Sequence, residues 1–151
     1  MAIAFFYGSI AAIWIVLFIC AVKRPLTFKH ILIAITAIGY SLLYETSLGE
    51  YARLYYYITP ESSLFYIILS AVLIYPMIDV IYAMFLPEKA SAAVMYTAAW
   101  IVFMLAFELA SLYTKTVVLT GWRVLPWSVI TYIVTFAWIN LLFRYLKKRG
   151  L

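Results

Sequence analysis

The sequence predicts an all-α, polytopic membrane protein with five transmembrane helices, its N-terminus outside and its C-terminus cytoplasmic. Three observations predict it. Of the 151 residues, 68% are hydrophobic and 11% are charged, whereas a soluble domain is about half apolar and a quarter charged. Such a chain has too few charges to clothe a water-facing surface. Five apolar stretches come close to or exceed the ~20 residues a helix needs to cross a bilayer. The basic residues gather at the ends of those stretches, where membrane topology places them. The formal net charge of +5 therefore points to the lipid bilayer as partner and not to nucleic acid. The chain reads as one integral membrane domain, 1–151, with spans at about 2–22, 30–48, 61–86, 90–113 and 125–145.

The first segment, Ala2 to Val22, carries no charge, and Lys23-Arg24-Pro25 ends it. The positive charges follow the apolar run and do not precede it, so it reads as a retained span and not as a cleaved leader. Gly8 and Ala12, four apart, share a face that permits close helix contact. Cys20 is the single cysteine, which excludes an internal disulfide; it reads as an ordinary buried cysteine, with palmitoylation near the membrane edge as the alternative.

The second segment, about His30 to Leu48, meets Glu45 near its far end. Gly49-Glu50-Tyr51-Ala52-Arg53 and then Leu54 with three tyrosines follow it, an interfacial composition that predicts a short surface helix over 49–58. Thr59-Pro60-Glu61 is a helix start: a capping hydroxyl, a proline suited to the first position and an acid facing the positive helix end. The third segment then runs to about Leu86, with Pro76 inside it as a kink and Asp79 three residues beyond.

The fourth segment, about Ala90 to Tyr113, holds Ala99, Ala106 and Ala110 as a packing face and one acid, Glu108. The fifth, about Leu125 to Tyr145, closes at Lys147, Lys148 and Arg149. With the N-terminus outside, eight basic residues (Lys23, Arg24, Lys29, Lys89, Arg144, Lys147, Lys148, Arg149) fall on the cytoplasmic side and three (Arg53, Lys115, Arg123) outside. This is a positive-inside bias. A re-entrant second segment would leave four spans.

Acids inside apolar segments are the place to look for function, because a carboxylate has little reason to sit in hydrocarbon. Glu108 is the leading candidate. Ser128, Thr131, Tyr132 and Thr135 follow i, i+3, i+4, i+7, one face of the fifth helix. The topology places Glu45, Glu108 and this stripe in the outer half, where they are expected to line a polar chamber. Arg123 in the loop above is expected to pair with either acid. Asp79 and Asn140 fall in the inner half as a second polar layer. The bland alternatives are an interfacial Glu45, an Asp79 hydrogen-bonded to a tyrosine, and serines and threonines bonded to their own helix. His30 and the tryptophans Trp122 and Trp127 read as interfacial. The sequence carries no phosphate loop, His-Glu-x-x-His, cysteine pair or nucleophile with a base at fixed spacing, so no metal, cofactor or catalytic residue is expected.

The run Phe107-Glu108, then Trp122, Trp127-Ser128 and Tyr132, with Tyr75-Pro76 earlier, resembles an uncharacterised family of small multi-pass membrane proteins from Gram-positive, spore-forming bacteria. The resemblance covers the second half of the chain best. It implies a bacterial plasma membrane and marks Glu108 and Trp122; it implies no reaction.

Three functions fit the sequence. The first is a transporter, channel or carrier-like subunit with a buried acidic site. A single five-helix chain encloses little space, so a pathway calls for homo-oligomerisation or a partner membrane protein. The second is a non-catalytic subunit that docks a partner through its small-residue faces. The third is a membrane enzyme acting on a lipid-like substrate.

Overall fold

The computed structural model describes residues 1–150. Five helical stretches are long and apolar enough to cross a membrane: Ala2–Lys23, Phe28–Tyr51, Pro60–Met84, Ala90–Tyr113 and Val124–Lys148. The protein is a small integral membrane protein of all-α class, and the spans match those expected to within three residues at each end.

Helix α1 (Ala2–Lys23) stops where Arg24 turns extended ahead of Pro25. Helix α2 (Phe28–Glu45) starts with a reciprocal cap: the Thr27 amide donates to His30 Nδ1 at 3.0 Å. His30 is buried at this helix start, its ring facing inward against Phe143. A wide helical turn, Thr46–Tyr51, prolongs α2.

The third span begins as predicted. Thr59 Oγ1 accepts from the Ser62 amide and Pro60 occupies the first position. The span then divides into α3 (Ser63–Leu73) and α4 (Tyr75–Met84), with Ile74 off helical geometry. Pro76 explains the break, since it has no N–H for the preceding turn and its ring crowds the carbonyl there. The Trp14 indole donates to the Leu73 carbonyl at this break, 3.1 Å away. Helix α4 is the hub: eight of its ten residues are buried, and it packs against α1, α2, α3 and α6.

Helices α5 (Ala90–Tyr113) and α6 (Val129–Lys148) complete the bundle. At the end nearest the C-terminus, Arg144 donates to Asn140 Oδ1 and to the Glu88 and Pro87 carbonyls at 2.6, 3.0 and 3.0 Å. Lys147 pairs with Glu88. Arg24 reaches the Met84 carbonyl at 2.8 Å, with its guanidinium over the Phe85 ring. These contacts fix the α4–α5 loop to α1 and α6. Asn140 is thus engaged by Arg144 and does not form a layer with Asp79.

The opposite end differs from expectation. Residues 49–58 do not form a surface helix. Instead β1 (Tyr55–Tyr57) pairs antiparallel with β2 (Val117–Leu119), in the register Tyr55↔Leu119 and Tyr57↔Val117. The amides of Thr120, Gly121 and Trp122 then all donate to the Leu54 carbonyl at 2.9, 2.9 and 3.0 Å. Tyrosine and valine suit a pleated, half-buried strand, and the pairing satisfies backbone groups that a loop at a membrane edge leaves bare. Gly49 sits beneath this pair: an added Cβ would lie 2.7 Å from Ile67 Cδ1 and 3.0 Å from the Tyr55 ring. Gly49→Ala is expected to cost about 1 kcal/mol, the low end for overpacking because the Ile67 terminus can turn aside. Thermal unfolding in detergent measures it.

The small-residue faces do not pack within the chain. Gly8 and Ala12 are exposed, nothing lies within 4 Å of the Cβ position at Gly8, and Ala99 and Ala106 also face outward. The close contact expected of these faces is not made to other helices of this chain, because α4 and not α1 forms the centre.

Candidate functional site

The half of the bundle under the strand pair surrounds a partly open cavity of about 110 Å³. Each neighbouring element supplies part of its wall. Helix α2 gives Tyr40, Ser41, Tyr44 and Glu45; β1 gives Tyr55 and Tyr57; α4 gives Tyr75, Ile78 and Asp79. Helix α5 gives Met104, Phe107, Glu108 and Ser111, and the start of the last span gives Ser128, Thr131, Tyr132, Thr135 and Phe136. Val117, Leu119 and Trp122 complete it. Three carboxyls and six tyrosines line this one space, and no lysine, arginine or histidine does.

Glu108 is held by two donors: Ser128 Oγ gives one carboxylate oxygen a hydrogen bond of 2.7 Å and the Tyr132 hydroxyl gives the other one of 2.8 Å. The Trp122 indole donates in turn to Ser128 Oγ at 2.9 Å. Hydrogen bonds to an ionisable acceptor of this kind are short and directional. The chain Trp122–Ser128–Glu108–Tyr132 therefore fixes the acid against the wall. Trp122, read from sequence as a belt anchor, is half-buried and holds Ser128. Trp127 is exposed.

Glu45 is 8% exposed and accepts from the Tyr57 hydroxyl at 3.2 Å. Tyr57 also meets the Tyr75 hydroxyl at 2.9 Å. Helix α2 is prolonged past residue 45 by its wide turn, and Glu45 lies buried under the strand pair. The Tyr44 hydroxyl meets Thr131 Oγ1 at 2.6 Å. Thr135 lines the wall with no side-chain hydrogen bond of its own. Burial first, and then the nearby Glu45 carboxyl, push the Tyr55 and Tyr57 hydroxyls well above the ordinary tyrosine value, so both remain protonated donors.

Asp79 is 5% exposed and lines the same cavity as Glu108. Its carboxyl makes no hydrogen bond to any described residue, so it is neither a separate inner layer nor glued to a tyrosine. The Tyr55 hydroxyl is likewise buried without a partner in hydrogen-bonding geometry. Of the seven candidate residues, Glu45, Asp79, Glu108, Ser128, Thr131 and Thr135 line the cavity. Arg123 is exposed and does not. The one ion pair among the described residues is Lys147–Glu88, so the pairing expected of Arg123 with either acid is absent: its side chain points out of the loop. The tyrosine lining went unread, because among 14 tyrosines helical spacing alone does not tell inward from outward.

Comparisons of the chain with protein-family models, with curated proteins and with solved structures find no match. Fold and cavity together define the class: a polytopic all-helical membrane protein with a carboxyl- and tyrosine-lined chamber in one half of its bundle.

Proposed function

We propose that the chain is a carrier-type subunit of a bacterial plasma membrane that admits a proton or another cation to the acidic cavity. The observation that carries this reading is the composition of the wall: three carboxyls and no basic side chain. Ionisable groups at membrane depth are costly and mark ion or substrate pathways, and a wall of one sign favours the opposite charge. Glu108 is the principal site, oriented by Ser128 and Tyr132, with Glu45 and Asp79 as the other stations. The eight-against-three distribution of basic residues supports an N-terminus outside and a C-terminus in the cytoplasm, with the cavity in the outer half. The cavity occupies one half of the bundle, so a complete path calls for a second copy or a partner chain. The exposed Gly8 and Ala12 face supports a second reading, a subunit that docks another membrane protein.

The test is flux in liposomes loaded with a pH-sensitive dye and carrying a cation gradient. The parent protein is expected to dissipate the gradient. Glu108→Gln keeps the shape and the acceptor oxygen but not the charge; it is expected to fall to the rate of empty liposomes with an unchanged unfolding curve. Parent-like flux in a Glu108→Gln, Asp79→Asn double variant would sink the reading.

A further inference from the structure

The cavity's polar groups divide into two kinds. Glu108 and Glu45 already accept from Ser128, Tyr132 and Tyr57. Asp79 and Tyr55, both more than nine-tenths buried, line the same cavity: the Asp79 carboxyl meets no protein partner, and the Tyr55 hydroxyl, beside the Glu45 carboxyl, has none in hydrogen-bonding geometry. Buried polar groups in native proteins are satisfied, and those without a protein partner point to something else that satisfies them.

Two further facts restrict what that is. Among the described residues, no three His, Cys, Asp or Glu side chains converge closely enough to hold a metal ion. The carboxyls are spread around the wall, an arrangement that suits a cation with extent better than a point charge needing several oxygens at one centre. The rest of the wall is largely aromatic, and ring faces attract organic cations by their quadrupole while also covering alkyl carbon. Size limits the choice again. The cavity of about 110 Å³ is somewhat smaller than the ~150 Å³ that accommodates benzene, so a ligand of about five heavy atoms fills it.

Resting on the cation reading above, we propose that the cavity is a binding site for a compact primary alkylammonium ion. Its N–H groups meet the Asp79 carboxyl, with the Tyr55 hydroxyl a further polar group of the same cavity, and its alkyl group lies against the tyrosine and phenylalanine rings. The N–H donors satisfy the Asp79 oxygens that the protein leaves open, which a quaternary ammonium, having no N–H, does not do; a bare alkali ion can meet those oxygens but brings no alkyl group to cover the aromatic wall.

The probe is isobutylammonium chloride, observed by saturation-transfer NMR with the full chain in lipid nanodiscs, and with empty nanodiscs to subtract partition into lipid. The parent protein is expected to give a saturable signal. Isobutanol, the neutral molecule of the same shape, is expected to bind at least about tenfold more weakly, as is isobutylammonium to Asp79→Asn, for loss of a charge-assisted hydrogen bond. Tyr55→Phe removes only the hydroxyl, keeps the ring in place and is expected to weaken binding by a smaller factor, so the site stays testable if Asp79→Asn does not fold. Equal binding of isobutanol, or displacement by potassium chloride at equal concentration, overturns the proposal. If the parent conducts cations and Glu108→Gln does not, yet no isobutylammonium binds, the alkylammonium assignment alone fails. If the parent neither conducts nor binds, the carrier reading fails with it.

Discussion

An Asp79→Leu chain is expected to unfold at a higher temperature than the parent and to carry no cation flux. Asp79 is 5% exposed in the most buried helix of the bundle, without a hydrogen bond from any described residue. A polar group in such a place that meets no protein partner costs about 1–3 kcal/mol unless the cavity's contents satisfy it. Leucine is of similar length, makes no polar demand and adds contacts to the neighbouring Ile78 and Phe136 side of the wall. The gain should be about 2 kcal/mol, near 5 °C for a domain of this size. With Asp79 as a cation station, the rise in stability and the loss of flux are expected together, as a trade-off of stability against activity. Circular dichroism melting in detergent and the liposome assay check the two halves separately. A lower melting temperature for Asp79→Leu would mean that the acid has a structural partner after all.

Phe136→Ala is expected to have the opposite sign and similar size. Phe136 is 2% exposed, with its ring 4.6 Å from Tyr82 and 6.1 Å from Trp100. It joins α6 to α4 and α5 at the floor of the cavity. In a soluble core such a truncation costs about 3–5 kcal/mol, part of it lost transfer from water and part the void left behind. Between membrane helices the transfer part is weak, because lipid is as apolar as the protein interior. The void part remains, so about 2 kcal/mol of lost stability is expected, read from the same melting curves. The site should also change shape. Isobutylammonium should bind more weakly in the enlarged cavity, whereas longer alkylammonium ions should bind relatively better.

The helical frame was legible because span length and charge placement are set by the bilayer, and both are properties of sequence alone. Pro76 likewise announced the break between α3 and α4, since its chemistry acts on its own turn. Glu108 with Ser128, Thr131 and Thr135 could be grouped by helical period and depth. Three things could not be read that way. The strand pair joins Tyr55-Tyr56-Tyr57 to Val117-Val118-Leu119, and three-residue strands carry no periodicity to detect. Asp79 was assigned by depth to a layer of its own, but depth counted along a helix does not reveal a cavity that extends from Trp122 down to Phe136. Trp122 was taken for an interfacial residue because tryptophan near a span end commonly is one; here its indole N–H serves Ser128.

The pairing of β1 with β2 also bears on how the protein is made. Tyr57 lies opposite Val117, 117 − 57 = 60 residues later in the chain. During synthesis the first three spans leave the ribosome with β1 lacking its partner, and the chamber has no roof until α5 has crossed and residue 119 has emerged. Biogenesis thus has a built-in order: β1 waits for β2 to emerge after α5, and the acids are enclosed only when α6, the last helix made, adds its side of the wall. An N-terminal fragment truncated before Val117 lacks β2 and so leaves β1 as an open edge.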